Sequence, residues 1–92
     1  MQPHTEPAKL IRFEQVLPLY GTAETRFRQD VREGLMTSPI KPSRKLSLWP
    51  ESELTAINAA RLAGRKPDEI RALVQQLHAK RKTDADAILA GV

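Results

Sequence analysis

Two glycines thirteen residues apart, Gly21 and Gly34, enclose the segment that most constrains how this chain can fold. Between them Phe27 and Val31 are four residues apart, so they share one face of a helix. The remaining side chains of the segment are mostly charged or polar. The pattern predicts an amphipathic helix over residues 23–33 that ends at a left-handed glycine, Gly34.

A second helix is predicted directly before this segment. Apolar residues recur at helical spacing over residues 13–20, although Pro18 is unfavourable in a helix interior and can end the helix early. Thr22 is the expected N-cap of the following helix, because its hydroxyl can accept a free N–H of the first turn. Since only Gly21 and Thr22 separate the two helices, the pair is typical of a helix-turn-helix.

A basic, proline-containing stretch follows the second helix. Residues 46–49 then alternate between apolar and polar side chains, and turn-forming residues precede them. This arrangement predicts a β-hairpin over residues 40–49. Trp49, at the end of the hairpin, is expected to anchor the core.

The C-terminal half predicts two further helices. Pro50 and Pro67 are each expected at the first helical position, where the missing N–H is tolerated. The third helix should stop at Gly64, and the fourth should end near residue 82 with basic residues in its last turn. The fourth helix carries an apolar stripe formed by Ile70, Leu73, Val74 and Leu77. This stripe is expected to close the core of the domain, and pairing with a second copy or with a protein partner is the alternative.

The length of 92 residues is that of one small domain. Residues 1–8 read as a disordered tail, residues 9–82 as the folded domain with an extended lead-in at 9–12, and residues 83–92 as an extension that can be a frayed helix. The chain has no cysteine and no apolar run long enough for a membrane span, and its N-terminus lacks the apolar region of a signal peptide. A cytoplasmic protein is expected.

The positive charge of the chain is concentrated in one segment. Residues 26–45 hold six basic and two acidic side chains, whereas the whole chain holds 15 and 11, so everything outside the segment balances at nine against nine. The excess of four positive charges therefore lies on one helix and the hairpin. A local excess of this kind is typical of a surface that binds phosphate groups, and a solvated basic face is the alternative.

Enzyme chemistry has little support in the sequence. His4 and His78 lie in the tail and in a late helix, there is no glycine-rich phosphate loop, and no set of residues has metal-ligand spacing. Glu51 and Glu53 lie near a helix start, where they would interact with the helix dipole. We therefore expect a protein that is not an enzyme and that uses no cofactor or metal.

The order of these elements resembles the AlpA-type regulators of phages and prophages, which are similar to excisionases and to MerR-like winged-helix domains. In that family an "EV" helix precedes a glycine-led turn, and the second helix ends at a glycine thirteen residues later. A proline-bearing segment, a basic hairpin that ends in Trp and a "SE-aliphatic" helix follow. The matching positions here are residues 14–16, Gly21, Gly34, residues 39–41, Arg44 or Lys45, Trp49 and residues 52–54.

This resemblance, which covers about residues 10–63, implies a mainly α-helical, small winged helix-turn-helix domain with one short β-hairpin as the wing and an extra C-terminal helix. The second helix would enter the major groove of double-stranded DNA, and the wing would follow the phosphate backbone. The predicted DNA-binding residues are Thr25, Arg26, Arg28, Gln29 and Arg32 on the helix and Lys41, Arg44 and Lys45 on the hairpin. Asp30, an aliphatic position in the family, is expected to pair with Arg26.

Family members regulate transcription or shape DNA for prophage excision, so the resemblance implies a transcriptional regulator, and an excisionase is the alternative. A homo-oligomer on DNA fits both functions. An alternative of a different class is a protein–protein interaction module that docks a partner through the helix of residues 67–82.

Overall fold

The computed structural model describes residues 9–92, and the predicted N-terminal tail lies outside this range. The described chain is mostly helical, with four helices and a three-stranded antiparallel sheet. The elements follow in the order β1 (Leu10–Arg12), α1 (Phe13–Tyr20), α2 (Glu24–Arg32), β2 (Ile40–Ser43), β3 (Leu46–Pro50), α3 (Glu51–Leu62) and α4 (Pro67–Ala90). The predictions of a mainly helical chain and of a hairpin after the second helix are confirmed.

The sheet has one strand more than the predicted hairpin. Strand β3 lies in the middle, with β1 on one side and β2 on the other, so that Ile11 lies opposite Trp49 and Ile40 opposite Leu48. The lead-in becomes a strand because Ile11 is buried in the core while its backbone pairs with β3. This pairing holds the start of α1 against the hairpin.

Two of the predicted helix starts are wrong by one residue. The N-cap of α2 is Ala23, and the hydroxyl of Thr22 donates to the Ala23 carbonyl at 3.1 Å and does not cap the helix. Pro50 is the last residue of β3 and the N-cap of α3, so the first helical residue is Glu51. At the other end of α2 the prediction is confirmed, because Gly34 adopts a left-handed φ of 78°.

The core is centred on an aromatic cluster. The ring of Phe27, from α2, lies 4.9 Å from that of Tyr20, 5.3 Å from that of Trp49 and 5.7 Å from that of Phe13. Phe27 and Trp49 are almost fully buried, and the indole N–H of Trp49 donates to the Thr37 carbonyl at 2.8 Å. Trp49 is thus the core anchor that the sequence predicts, since its apolar ring is packed and its one donor is satisfied.

Helix α4 closes the core from the other side. Ile70 and Val74 are buried, and Leu73 and Leu77 are half-buried against the hydrophobic core, so the predicted apolar stripe packs within the chain. The predicted end of this helix near residue 82 is wrong, because α4 continues to Ala90. Its basic residues 80–82 therefore lie in mid-helix. The exposed second half of α4 lies beyond the packed stripe.

A buried ion pair joins α4 to α3. Both oxygens of the Glu53 carboxylate accept from Arg81, at 2.7 Å each, and Arg81 also donates to the Ser38 carbonyl at 2.6 Å. The sequence predicted a helix-dipole role for Glu53. The structure buries this side chain, so that it requires a charged partner. Next to the pair, the Ser38 N–H donates to Nε2 of His78 at 3.0 Å.

We expect the stability of the fold to rise with pH because of His78. Burial, and then the positive charge of Arg81, lower the pKa of His78 below its usual value of 6.5, while Glu53 acts in the opposite direction. The neutral ring also accepts the Ser38 N–H. Protonation of His78 therefore costs more free energy in the folded than in the unfolded chain. The stabilisation that neutral His78 provides is complete above pH 6.5 and is lost as the pH falls from there through the folded pKa.

Urea denaturation at pH 8 and pH 5, in wild type and in His78→Gln, measures this effect. The variant should lose less stability between the two pH values than the wild type does. An equal loss would show that other groups cause the pH dependence.

Candidate functional site

The outward face of α2 carries most of the residues predicted to bind DNA. Its inward face is formed by Phe27, Asp30 and Val31, which are buried or half-buried. The helical period places the opposite side toward solvent. Thr25, Arg28, Gln29 and Arg32 lie there at i, i+3, i+4 and i+7, all of them exposed. The structure therefore brings four of the five predicted helix residues onto one continuous surface.

The fifth residue, Arg26, lies on the flank of α2 and has a structural partner. Its Nε donates to Oδ1 of Asp30 at 3.0 Å, which confirms the pair that the sequence predicts. The Tyr20 hydroxyl donates to the other Asp30 oxygen at 2.6 Å. Burial and this hydrogen bond raise the pKa of Tyr20, so the phenol stays protonated and keeps donating. The buried Asp30 thus ties α2 to α1, and Arg26 balances its charge.

Arg28 is held in a defined position on the outward face. Its Nε donates to Oε2 of Glu24 at 2.9 Å, and its guanidinium carbon lies 4.9 Å from the centre of the Phe13 ring. A guanidinium packed on an aromatic ring keeps free N–H groups at its edge. Arg28 is therefore oriented before any ligand arrives, so that it loses less side-chain entropy on binding.

The hairpin presents two further basic side chains at its turn. Nζ of Lys41 donates to the Arg44 carbonyl and to Oγ of Ser47, both at 3.0 Å. The side chain of Lys41 therefore stabilises the turn of the hairpin. The side chains of Arg44 and Lys45 are exposed and form no hydrogen bond or ion pair with other residues of the described part of the chain.

A groove of about 420 Å³ lies between α2 and the hairpin. Arg12, Arg28, Arg32 and Lys45 contribute four positive charges to its walls, and Glu14 contributes one negative charge. Phe13 and Trp49 are among the apolar residues that line it. Charges beside an apolar surface are screened less than charges in open water, so this groove favours anions more than a flat basic surface would. We call it the basic groove.

Arg12 is the residue of this groove that the sequence analysis missed. It lies at the end of β1, and its backbone N–H donates to Oε1 of Gln15 at the start of α1. The alternation of a strand, with Ile11 inward, could have placed Arg12 outward. Only the pairing of β1 with β3 brings it to the same groove as Arg32 and Lys45.

The other predicted residues lie outside the groove. Thr25 and Gln29 lie on the adjoining face of α2, Arg26 is paired with Asp30, and Lys41 and Arg44 lie on the hairpin without lining the groove. The site thus consists of a groove suited to anions and a polar helix face beside it.

Comparisons of the chain with protein-family models, with curated proteins and with solved structures find no match. Across residues 9–92, none of the helices combines the length and the apolar character that crossing a membrane requires. Within the same range no cluster of three metal-ligating side chains is formed.

Proposed function

We propose that this protein is a small winged-helix protein that binds double-stranded DNA in a sequence-specific way. The observation that carries the proposal is the basic groove, in which two arginines of α2 lie together with Lys45 of the hairpin and Arg12 of β1. The guanidinium groups of arginine match the geometry of phosphate oxygens, and the groove offers several at once. In this proposal the hairpin is the wing and α2 is the recognition helix.

The polar face beside the groove supports a role in reading bases. Thr25 and Gln29 project from the same side of α2 as Arg28 and Arg32, and a single helix face can enter the major groove. A glutamine amide can donate to and accept from the edge of adenine, whereas arginine pairs with guanine. With the groove on a phosphate strand, this face would lie against the base edges.

The motif order that resembles AlpA-type regulators supports transcriptional regulation as the biological role, in the cytoplasm. A selection experiment, in which the full chain retains its preferred duplexes from a pool of random DNA, would test the proposal directly. Enrichment of one sequence supports it, and the absence of any bound duplex at low salt would contradict it.

Binding to duplex DNA should weaken steeply with salt. If the groove and the hairpin turn neutralise about five phosphates, the plot of log K against log salt should have a slope of about −4 to −5, because each neutralised phosphate releases counterions. Fluorescence anisotropy of a labelled duplex over a series of salt concentrations measures the slope. Arg65→Ala, which removes an exposed arginine that does not line the groove, is the control and should leave the slope unchanged. An affinity independent of salt would contradict phosphate binding.

The helix and the hairpin should contribute differently. Lys45→Ala should weaken binding to the selected site and to random DNA alike and should make the salt slope shallower by about one unit. Gln29→Ala should cost about 1–3 kcal/mol on the selected site and little on random DNA, because it removes a base contact. Titrations of both variants on both duplexes check this, and the opposite result would mean that the two elements have exchanged roles.

A further inference from the structure

The segment between α2 and β2, residues 33–39, joins the two walls of the basic groove. Helix α2 supplies Arg28 and Arg32 to the groove and the hairpin supplies Lys45, while Pro39, the last residue of the segment, lines the groove itself. Residues 33–39 form neither helix nor strand, so no regular hydrogen-bond ladder sets the distance between α2 and the hairpin. We call this segment the connector.

Helix α4 holds the connector at both ends. At the first residue, Nε of Arg71 donates to the Glu33 carbonyl at 2.9 Å. Near the other end, the Ser38 N–H donates to Nε2 of His78 at 3.0 Å, and the Ser38 carbonyl accepts from Arg81 at 2.6 Å. The three α4 residues lie at i, i+7 and i+10, on one face of the helix. A single helix therefore spans the connector from α2 to the hairpin.

The first strand of the hairpin has few other anchors. Strand β2 pairs with β3 at Ile40 and Ser43, and the register is irregular between these positions. An irregular ladder fixes a strand less firmly than a continuous one. The position of the hairpin turn, which carries Lys45, therefore depends on where the backbone of Ser38 is held.

We propose that Arg71, His78 and Arg81 are positioning residues, which act through the backbone of the connector to fix the separation of α2 and the hairpin across the basic groove. None of the three lines the groove, so they would act without touching DNA. A hairpin that is already in place loses less conformational freedom on binding, which strengthens the binding. This inference rests on the proposed function for its ligand, whereas the hydrogen bonds that carry it are formed without DNA.

His78 makes this positioning dependent on pH. Its Nε2 accepts a hydrogen bond only while the imidazole is neutral, because both nitrogens of the protonated ring carry a proton. The charged groups that act on the ring are Arg81 on α4 and Glu53 on α3, and these two are paired with each other. Acid should therefore release the Ser38 N–H while the bond from Arg81 to the Ser38 carbonyl persists. The affinity for DNA should then contain a component that is lost as the pH falls below 6.5.

NMR spectroscopy of the full chain without DNA tests the positioning itself. In the wild type, the Ser38 amide resonance should shift together with the His78 ring as the pH is lowered from about 8 to about 5, since the two groups share a hydrogen bond. In His78→Leu and in Arg71→Met, the amide resonances of the hairpin should shift and broaden, while those of α3 should stay in place. A Ser38 amide that does not respond to protonation of His78, or an unchanged hairpin in both variants, would overturn the proposal.

Fluorescence anisotropy with a labelled random-sequence duplex at low salt measures the consequence for binding. His78→Leu removes the acceptor, and because Ser38 is exposed, water can accept its N–H and the fold is retained. The affinity should fall about threefold to tenfold. His78→Gln keeps an acceptor in its amide oxygen, so it should bind as the wild type does at pH 8 and lack the component lost in acid. Gln76→Leu, at an exposed residue on the opposite side of α4, is the control and should leave the affinity unchanged.

Coupling to Lys45 separates positioning from a general loss of folded protein. If His78 acts by holding the hairpin, His78→Leu should weaken Lys45→Ala by a clearly smaller factor than it weakens the wild type, because the hairpin then has less to contribute. A loss of folded protein would lower both affinities by the same factor, and equal factors would overturn the proposal. If the wild type bound no duplex at low salt, the proposed function would fail, and the NMR result alone would decide whether α4 positions the hairpin.

Discussion

Replacing Phe27 with alanine is expected to cost about 3–5 kcal/mol of folding free energy, because it removes a large side chain from the centre of the core. Phe27 is 1% exposed and contacts the rings of Phe13, Tyr20 and Trp49, which come from α1 and β3. Truncation to alanine removes buried apolar surface and leaves a cavity between three separate elements, which can fill it only in part. Since domains are stable by only about 5–15 kcal/mol, much of the folded state would be lost.

Urea denaturation followed by far-ultraviolet circular dichroism measures this loss, and the melting temperature should fall by more than about 12 °C. Leu62→Ala, at a residue that is 91% exposed on α3, is the control and should change stability by less than about 0.5 kcal/mol. Similar small changes in both variants would mean that the aromatic cluster is not the centre of the core.

Arg81→Met should cost about 3–5 kcal/mol, because it leaves the buried Glu53 carboxylate without a partner. Glu53 is 3% exposed and Arg81 supplies both of its side-chain hydrogen bonds, while the Ser38 carbonyl loses a donor as well. A neighbouring ion pair gives the comparison: Lys80→Met breaks an exposed pair with Asp84 and should cost less than about 1 kcal/mol.

The double variant Arg81→Met/Glu53→Leu separates the cost of an unpaired charge from the value of the pair. Because apolar residues of similar size often replace a buried ion pair at little cost, the double variant should be more stable than Arg81→Met alone. Denaturant titration of Arg81→Met, Glu53→Leu and the double variant, each compared with the wild type, completes the double-mutant cycle. If the double variant were the least stable, the ion pair itself would contribute more than its apolar replacement.

The helices and the hairpin could be predicted from local signals. Gly34 adopts the left-handed conformation that its place after an amphipathic pattern predicted, and Trp49 is buried at the end of an alternating strand. The outward face of α2 followed from the spacing of Phe27 and Val31. Periodicity predicts these features because the side chains of one helix or strand are placed by its own geometry.

Local signals were least reliable at element ends. Thr22 has the chemistry of an N-cap, but the N-cap is Ala23 and the helix starts at Glu24, one residue later than predicted. Nothing in residues 80–86 stops a helix, so the predicted end near residue 82 rested on the basic residues alone, and α4 continues through them. A cap residue or a run of charged residues contributes only a small free energy to where a helix ends. Packing and the continuity of the helical backbone can outweigh it.

The amino-acid sequence alone determined where positive charge is concentrated, which faces are apolar and which segments are helical, because these properties depend on residues close in the chain. Only the tertiary structure decided that Arg12 joins the basic groove, that Glu53 is buried against Arg81, and that α4 holds both ends of the connector. Arg12 lines the same groove as Lys45 because β1 pairs with β3, and Glu53 lies 28 residues from Arg81 in the sequence. Such contacts depend on how elements distant in sequence pack together, which the local pattern of residues does not contain.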